Sequence, residues 1–198
     1  MTRCPKRNVF TDASSAILLY KADLFAGLAE TWQVVMAPAV FSEITKSGYP
    51  GADFFKHLGR KTKNRAPVIL LPELPSSDSP LFAQKNFIAM GKGEKETICL
   101  YLRSTCRAPE PKGTGAFILV DDGRAVKICR AHQIPFINAL LVPKIFWYSG
   151  GMDQKEYLEK TDRLCGLGRY TKTIKQMAEH FSKEDLDYFI GGNTHDRY

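Results

Sequence analysis

A chain of 198 residues, 44% hydrophobic and 25% charged, is long enough for one good core and too apolar to be disordered. No apolar run approaches bilayer-spanning length, and the basic start from Met1 to Asn8 lacks the uninterrupted apolar stretch of a secretory signal, so the expectation is a cytoplasmic protein with no membrane association. The net charge of +7 is uneven: residues 1–149 hold 20 Lys+Arg against 12 Asp+Glu, and residues 150–198 hold 8 against 9. Lys56, Arg60, Lys61, Lys63 and Arg65 crowd one acid-free run with His57, which suits either a polyanionic partner such as nucleic acid or a solvated basic loop. Cys4, Cys99, Cys106, Cys129 and Cys165 form no C-x-x-C pair and read as reduced, structural thiols.

Asn8–Thr11 reads as a short strand ending at Asp12, with helix-capping hydroxyls at Ser14 and Ser15. Apolar residues from Ile17 to Leu28 recur at helical spacing, as one helix or two short ones. Gln33–Met36 is a second strand, and Pro38 suits the first turn of a helix running to about Lys46. A helix from Ala52 to Gly59 leads into the basic run, and Val68–Leu71, bounded by prolines, has the continuous apolar character of a buried strand. A helix near Pro80–Ile88, a turn at Met90–Gly93 and a strong helix from Glu94 to about Thr105 follow. Beyond the Pro/Gly-rich loop 107–115 come a strand, Phe117–Val120, a helix, Arg124–His132, a strand, Pro135–Asn138, and a helix, Ala139–Tyr148. Strands alternating with helices predict a three-layer α/β/α fold around a mostly parallel sheet over residues 1–149. Residues 150–198 are helical and amphipathic, with Ser182–Asp185 as a capping box, and form a C-terminal extension.

Two acids stand directly after strands, Asp12 after the first and Asp121 after the fourth. In an open parallel sheet the carboxyl ends of strands are where ligands bind. Glu94 follows a glycine turn at a helix start, and Glu43 sits on the helix after strand two. Carboxylates drawn together repel unless a multivalent cation lies between them, and oxygen donors without a His or Cys pattern favour Mg²⁺ or Mn²⁺ over zinc. Each acid also has a plainer reading: Asp12 and Asp122 as helix caps, Glu94 at a favourable helix N-terminus, Glu43 paired with Lys46.

The segments Asn8–Leu19, Pro38–Ile44, Gly91–Ile98 and Leu119–Ala125, in this order and spacing, resemble the PIN domain, in the prokaryotic branch that carries G-x-G-E-x-E and D-D-x-x-A segments. The resemblance covers about residues 8–148. It implies a PIN-like fold and a Mg²⁺/Mn²⁺-dependent endoribonuclease that hydrolyses RNA through metal-activated water, similar to the VapC-type toxins of toxin–antitoxin pairs. Carried over by position, the catalytic and metal-binding acids are Asp12, Glu43, Glu94 and Asp121, with Glu94 where many members have Asp. Ser14 falls at the family's supporting hydroxyl, and Asp122 and Glu96 stand behind the four, Glu96 two residues from Glu94 and so directed away from it on a helix. The implied partners are an RNA substrate, a small antitoxin and a second copy of the chain. Two stretches depart from the family: loop 107–115 is longer than its usual turn, and residues 150–198 have no counterpart in the minimal domain.

Lys92 and Lys95 flank Glu94, and Arg124 follows Asp121 and Asp122; these cations are candidates to hold RNA phosphates, or are surface charges at helix starts. His57, His132, His180 and His195 are isolated and belong to no triad. Gly91-x-Gly93 lacks the rest of a nucleotide-phosphate loop. The rival reading, from another class, is a non-catalytic RNA- or protein-binding module that retains the fold.

Overall fold

The computed structural model describes residues 6–60, 68–69, 81, 84–106, 115–168 and 170–190. The chain runs β1 (Asn8–Thr11), α1 (Ala13–Lys21), α2 (Phe25–Thr31), β2 (Gln33–Met36), α3 (Pro38–Ile44), α4 (Ala52–Arg60), β3 (Val68–Ile69), α5 (Lys85–Ile88), α6 (Lys92–Cys106), β4 (Ala116–Leu119), α7 (Gly123–Ala131), β5 (Phe136–Ile137), a 3-10 turn (Ala139–Leu141), α8 (Val142–Tyr148), α9 (Gln154–Leu167), α10 (Lys172–His180) and α11 (Lys183–Ile190). Residues 61–65 of the expected basic run, the rest of the strand after Ile69, residues 80, 82 and 83 of the helix expected up to Ile88 and the loop from 107 to 114 lie outside the described residues.

The five strands form one parallel sheet in the order β3-β2-β1-β4-β5. Successive side chains on a strand point to opposite faces. Val9 to Thr11, Val34 to Met36 and Ala116 to Leu119 are all buried, so helices must cover both faces. α6 lies against β1 and β4, and α2 against β2. Strand order reverses at β1: the chain moves outward through β2 and β3, then returns to lay β4 on the other side of β1. This switch opens a crevice at the carboxyl ends of β1 and β4. β1 and β4 pair from Asn8↔Ala116 to Thr11↔Leu119, which brings Asp12 and Asp121 out at the same edge.

Local chemistry explains the boundaries. Pro38 opens α3, where its missing N–H is no loss. The expected helix after Asn138 divides instead: the Asn138 carboxamide accepts from Leu141 N at 3.2 Å and holds a 3-10 turn, and Pro143 starts α8. Just beyond α1, Asp23 takes a left-handed φ of 57° that turns the chain, and its carboxylate pairs with Arg163 and Lys160 of α9.

The C-terminal helices share the main core. Leu164, Ala178 and Leu186 are buried in the same apolar cluster as the sheet. Trp32 stacks on Phe146, meets Phe117 edge-on and donates its indole N–H to Phe189 O at 3.0 Å. The Tyr188 hydroxyl donates to Ala116 O at 2.9 Å. Buried Lys144 donates to Ala178 O and Glu179 O, closing the last turn of α10, and burial pulls its pKa down. The Ser182–Asp185 box forms with both hydrogen bonds in place. Among the described residues no helix is long and apolar enough to cross a membrane.

Because α11 and the sheet bury one another, Leu186→Ala is expected to lower stability by about 2–5 kcal/mol in a single cooperative transition. Urea unfolding followed by circular dichroism and by tryptophan fluorescence checks it. Two separated transitions would show that the extension folds on its own.

Candidate functional site

Asp12 is the residue after β1 and the N-cap of α1. Its Oδ1 accepts from Ser15 N at 2.8 Å and its Oδ2 from the Ser14 hydroxyl at 3.0 Å. The expectation that the Ser14 and Ser15 hydroxyls cap this helix is therefore corrected. The carboxylate caps it, being already fixed at the strand end, and both hydroxyls are left free to turn toward acids. Ser15 reaches the other strand end, donating to Asp121 Oδ2 at 2.7 Å.

Asp121 is held from three sides. Besides Ser15, Tyr170 donates its hydroxyl to Oδ1 at 2.8 Å, and Ala139 N approaches both oxygens at 3.3 and 3.4 Å. Tyr170 lies between α9 and α10, so the extension supplies part of the site.

Electrostatics follow from this burial. Asp12 is 2% exposed, and desolvation pushes its pKa from the ordinary 3.8 up to about 7, against the hydrogen bonds from Ser15 and Ser14 and with help from the Asp121 charge. Burial likewise raises Asp121, with the Ser15, Tyr170 and Ala139 donors pulling it back. The Tyr170 hydroxyl is raised by burial and then by Asp121, so it stays a protonated donor. Glu94 is raised by burial, with Asp122 and Glu43 adding to the rise and the Gly91 N–H and Arg124 opposing it.

Two clefts meet at this edge. One, of about 750 Å³, is lined by Asp12, Ser14, Glu43, Lys46, Lys92, Glu94 and Glu96 among others. The second, of about 650 Å³, contains Asp121 and Asp122 and has largely apolar walls. Ser14 and Glu94 border both. Of the four predicted acids, Asp12 and Glu43 thus face one cleft, Asp121 faces the other and Glu94 borders both. Among the described residues no three His, Cys, Asp or Glu side chains are gathered tightly enough to enclose a metal by themselves.

The supporting residues take definite places. Asp122 caps α7, accepting from Arg124 N and Ala125 N. Glu94 reaches back to Gly91 N at 2.9 Å. Gly93 lets α6 approach α3, since a Cβ there would lie 3.1 Å from Val40 Cγ2. Glu96 accepts from Ala39 N at 3.1 Å and pairs with Lys92 at 3.7 Å. Its partners differ from those of Glu94, yet from a buried position it borders the same cleft. Lys95 donates to Ile88 O at 2.9 Å and Arg124 to Ala89 O at 2.7 Å, so both fasten the end of α5, while Lys92 and Lys46 line the cleft. Glu43 and Lys46 are exposed and make no ion pair with each other.

Ser15 and Tyr170 were missed by the sequence reading. The serine is next to a motif position, so its role needed the Asp121 contact to be seen. The tyrosine carries no local signal at all. Compared with protein-family profiles, curated proteins and solved structures, the chain matches none.

A carboxyl raised by folding binds a proton that the unfolded chain has already lost between about pH 4 and 7, so metal-free stability falls as pH rises through that window. Asp12→Asn keeps a good N-cap and removes the charge. In EDTA the variant should melt above the wild type at pH 8, on the order of 5 °C, with the gap shrinking toward pH 5. A gap independent of pH in differential scanning calorimetry would refute the buried-charge assignment.

Proposed function

We propose that the chain is a Mg²⁺- or Mn²⁺-dependent endoribonuclease of the PIN type, acting at the crevice between β1 and β4. The observation that carries this reading is Asp12 beside Asp121, a buried and a half-buried carboxylate at adjacent strand ends, both driven toward their neutral forms by desolvation. A hard divalent cation would remove that penalty. The donors are oxygens throughout, and Mg²⁺ commonly keeps several waters while taking one or two protein carboxylates, so this pair fits it without a third acid in contact. Asp12 and Asp121 would hold the ion, with Glu94 and Glu43 bordering the cleft beside them. When bound, the ion supplies a polarised phosphodiester and a water acidic enough to attack it.

The remaining work falls to the chain's own groups. Ser14 and Ser15 orient the two carboxylates through their hydroxyls. Lys46 and Lys92 line the acidic cleft and would balance the RNA phosphates there. The net charge of +7 favours a polyanion overall. The four motif segments support the PIN type, and with it a toxin role silenced by a small antitoxin.

A second reading draws on Asp121, whose two oxygens are already met by Tyr170, Ser15 and Ala139. It is a binding module that retains the fold and cuts nothing.

One comparison separates the two. Wild type should cleave single-stranded RNA with Mn²⁺ and not with EDTA, and Asp12→Asn should lower that rate on the order of 100-fold or more with unchanged circular dichroism. Mn²⁺ should also raise the Tm of the wild type and leave that of the variant unmoved. Undiminished cleavage by the variant overturns the nuclease assignment, and binding without any Mn²⁺-dependent cleavage supports the module.

A further inference from the structure

We propose that the apolar cleft beside Asp121 is a subsite for one unpaired nucleobase of the RNA, an inference that rests on the nuclease reading for its substrate class. The cleft, about 650 Å³, has the size of a small-molecule site. Val126 of α7, Phe136 of β5, and Ile174 and Met177 of α10 supply its apolar lining. Ile174 and Met177 are large apolar side chains left in contact with solvent. An apolar slot alone would accept many ligands, and its polar fittings narrow the choice.

Asn138 spends its carbonyl oxygen on Leu141 N, and among the described residues its amide nitrogen has no hydrogen-bond partner. Arg130 lies on the same lining, exposed and without an ion pair among the described residues. Apolar walls, a free amide donor and a free cation match, in turn, the faces of a base, the acceptors on its edge and the phosphate attached to its sugar. The slot also contains Asp121 and shares Ser14 and Glu94 with the acidic cleft. A base seated there leaves its own backbone at the carboxylates, so the subsite would choose which phosphate is presented. A peptide side chain would suit the walls and leave the cation unused. The C-terminal extension thereby gains a role, since Ile174, Met177 and Ala178 of α10 line the slot.

The test is fluorescence anisotropy with labelled single-stranded RNA hexamers in EDTA, where nothing is cut. One set carries all its bases and the other carries abasic riboses at the central positions. Wild type should bind the abasic set about tenfold more weakly, the loss of one stacked base. The double variant Ile174→Gln, Met177→Gln changes exposed helix positions to another good helix former, so the fold is kept. It should bind both sets equally, at the abasic level, with the salt dependence of phosphate binding unchanged. Asn138→Ser keeps a capping oxygen for Leu141 N, withdraws the amide donor and should fall between the two. Equal binding of both sets by a wild-type protein that still cleaves RNA with Mn²⁺ overturns the subsite and leaves the nuclease reading standing, as does a double variant that keeps the tenfold preference. No RNA binding at low salt together with no cleavage overturns both.

Discussion

Asp12 and Asp121 are forced together by backbone pairing before any side-chain chemistry is considered. β1 and β4 run parallel and adjacent, in register from Asn8↔Ala116 to Thr11↔Leu119, so the residues that follow them emerge at one edge. Both strands are buried on both faces, and their ends therefore lie beneath packed helices, where a carboxylate loses much of its hydration. The chain offsets this cost with donors placed within one helical turn or carried in from afar: Ser14 and Ser15 from α1, Ala139 from the 3-10 turn, Tyr170 from the extension. The donors do not fully restore the charged forms, as the rise of Asp12 to about 7 shows. A pair of acids kept in that condition is a poor structural element, since amides of the same shape would cap α1 and accept the same hydrogen bonds more cheaply. Under the proposed function, a divalent cation would offset the cost of that charge.

The C-terminal helices enter the same balance. Their attachment is distributed: Trp32 to Phe189, Tyr188 to Ala116, Lys144 to the end of α10, Asp23 to Lys160 and Arg163 of α9. Lys144 is the clearest case. A lysine is costly to bury, yet here its ammonium closes two orphan carbonyls at a helix end and lies over the Tyr148 ring. Through these ties the extension carries Tyr170 to Asp121 and sets α10 on the same cleft as β5 and α7.

The strands were legible because a sheet buried on both faces demands continuous apolar runs, and Val34–Met36 and Phe117–Val120 are such runs. Asp12 and Asp121 were legible for the complementary reason, that an acid ending such a run cannot belong to the core. What sequence could not supply is the pairing of β1 with β4, because 106 residues separate Ser15 from Asp121, and contacts at that range leave no local pattern. Tyr170, 49 residues beyond Asp121, sits in a stretch whose periodicity announces helices and nothing more. Lys95 and Arg124 stand beside motif acids in the sequence, and both turn to backbone carbonyls at the end of α5. Proximity in sequence to an acid said nothing about which way a long side chain would point.

The two clefts differ in character because different layers build them. The acidic one lies between the starts of α1, α3 and α6, where helix N-termini and exposed side chains keep it polar. The apolar one lies under α10, whose inward residues would otherwise complete the core against β5 and α7. Had the helix seated more deeply, Ile174 and Met177 would be buried; instead Ala178 alone of that face is covered. The carbonyls at its C-terminus accept from Lys144, and its start follows Tyr170, which donates to Asp121, so α10 is tied to the fold near both of its ends. Two of the contacts that tie the extension to the fold thus flank the slot, and one of them is made to Asp121 itself.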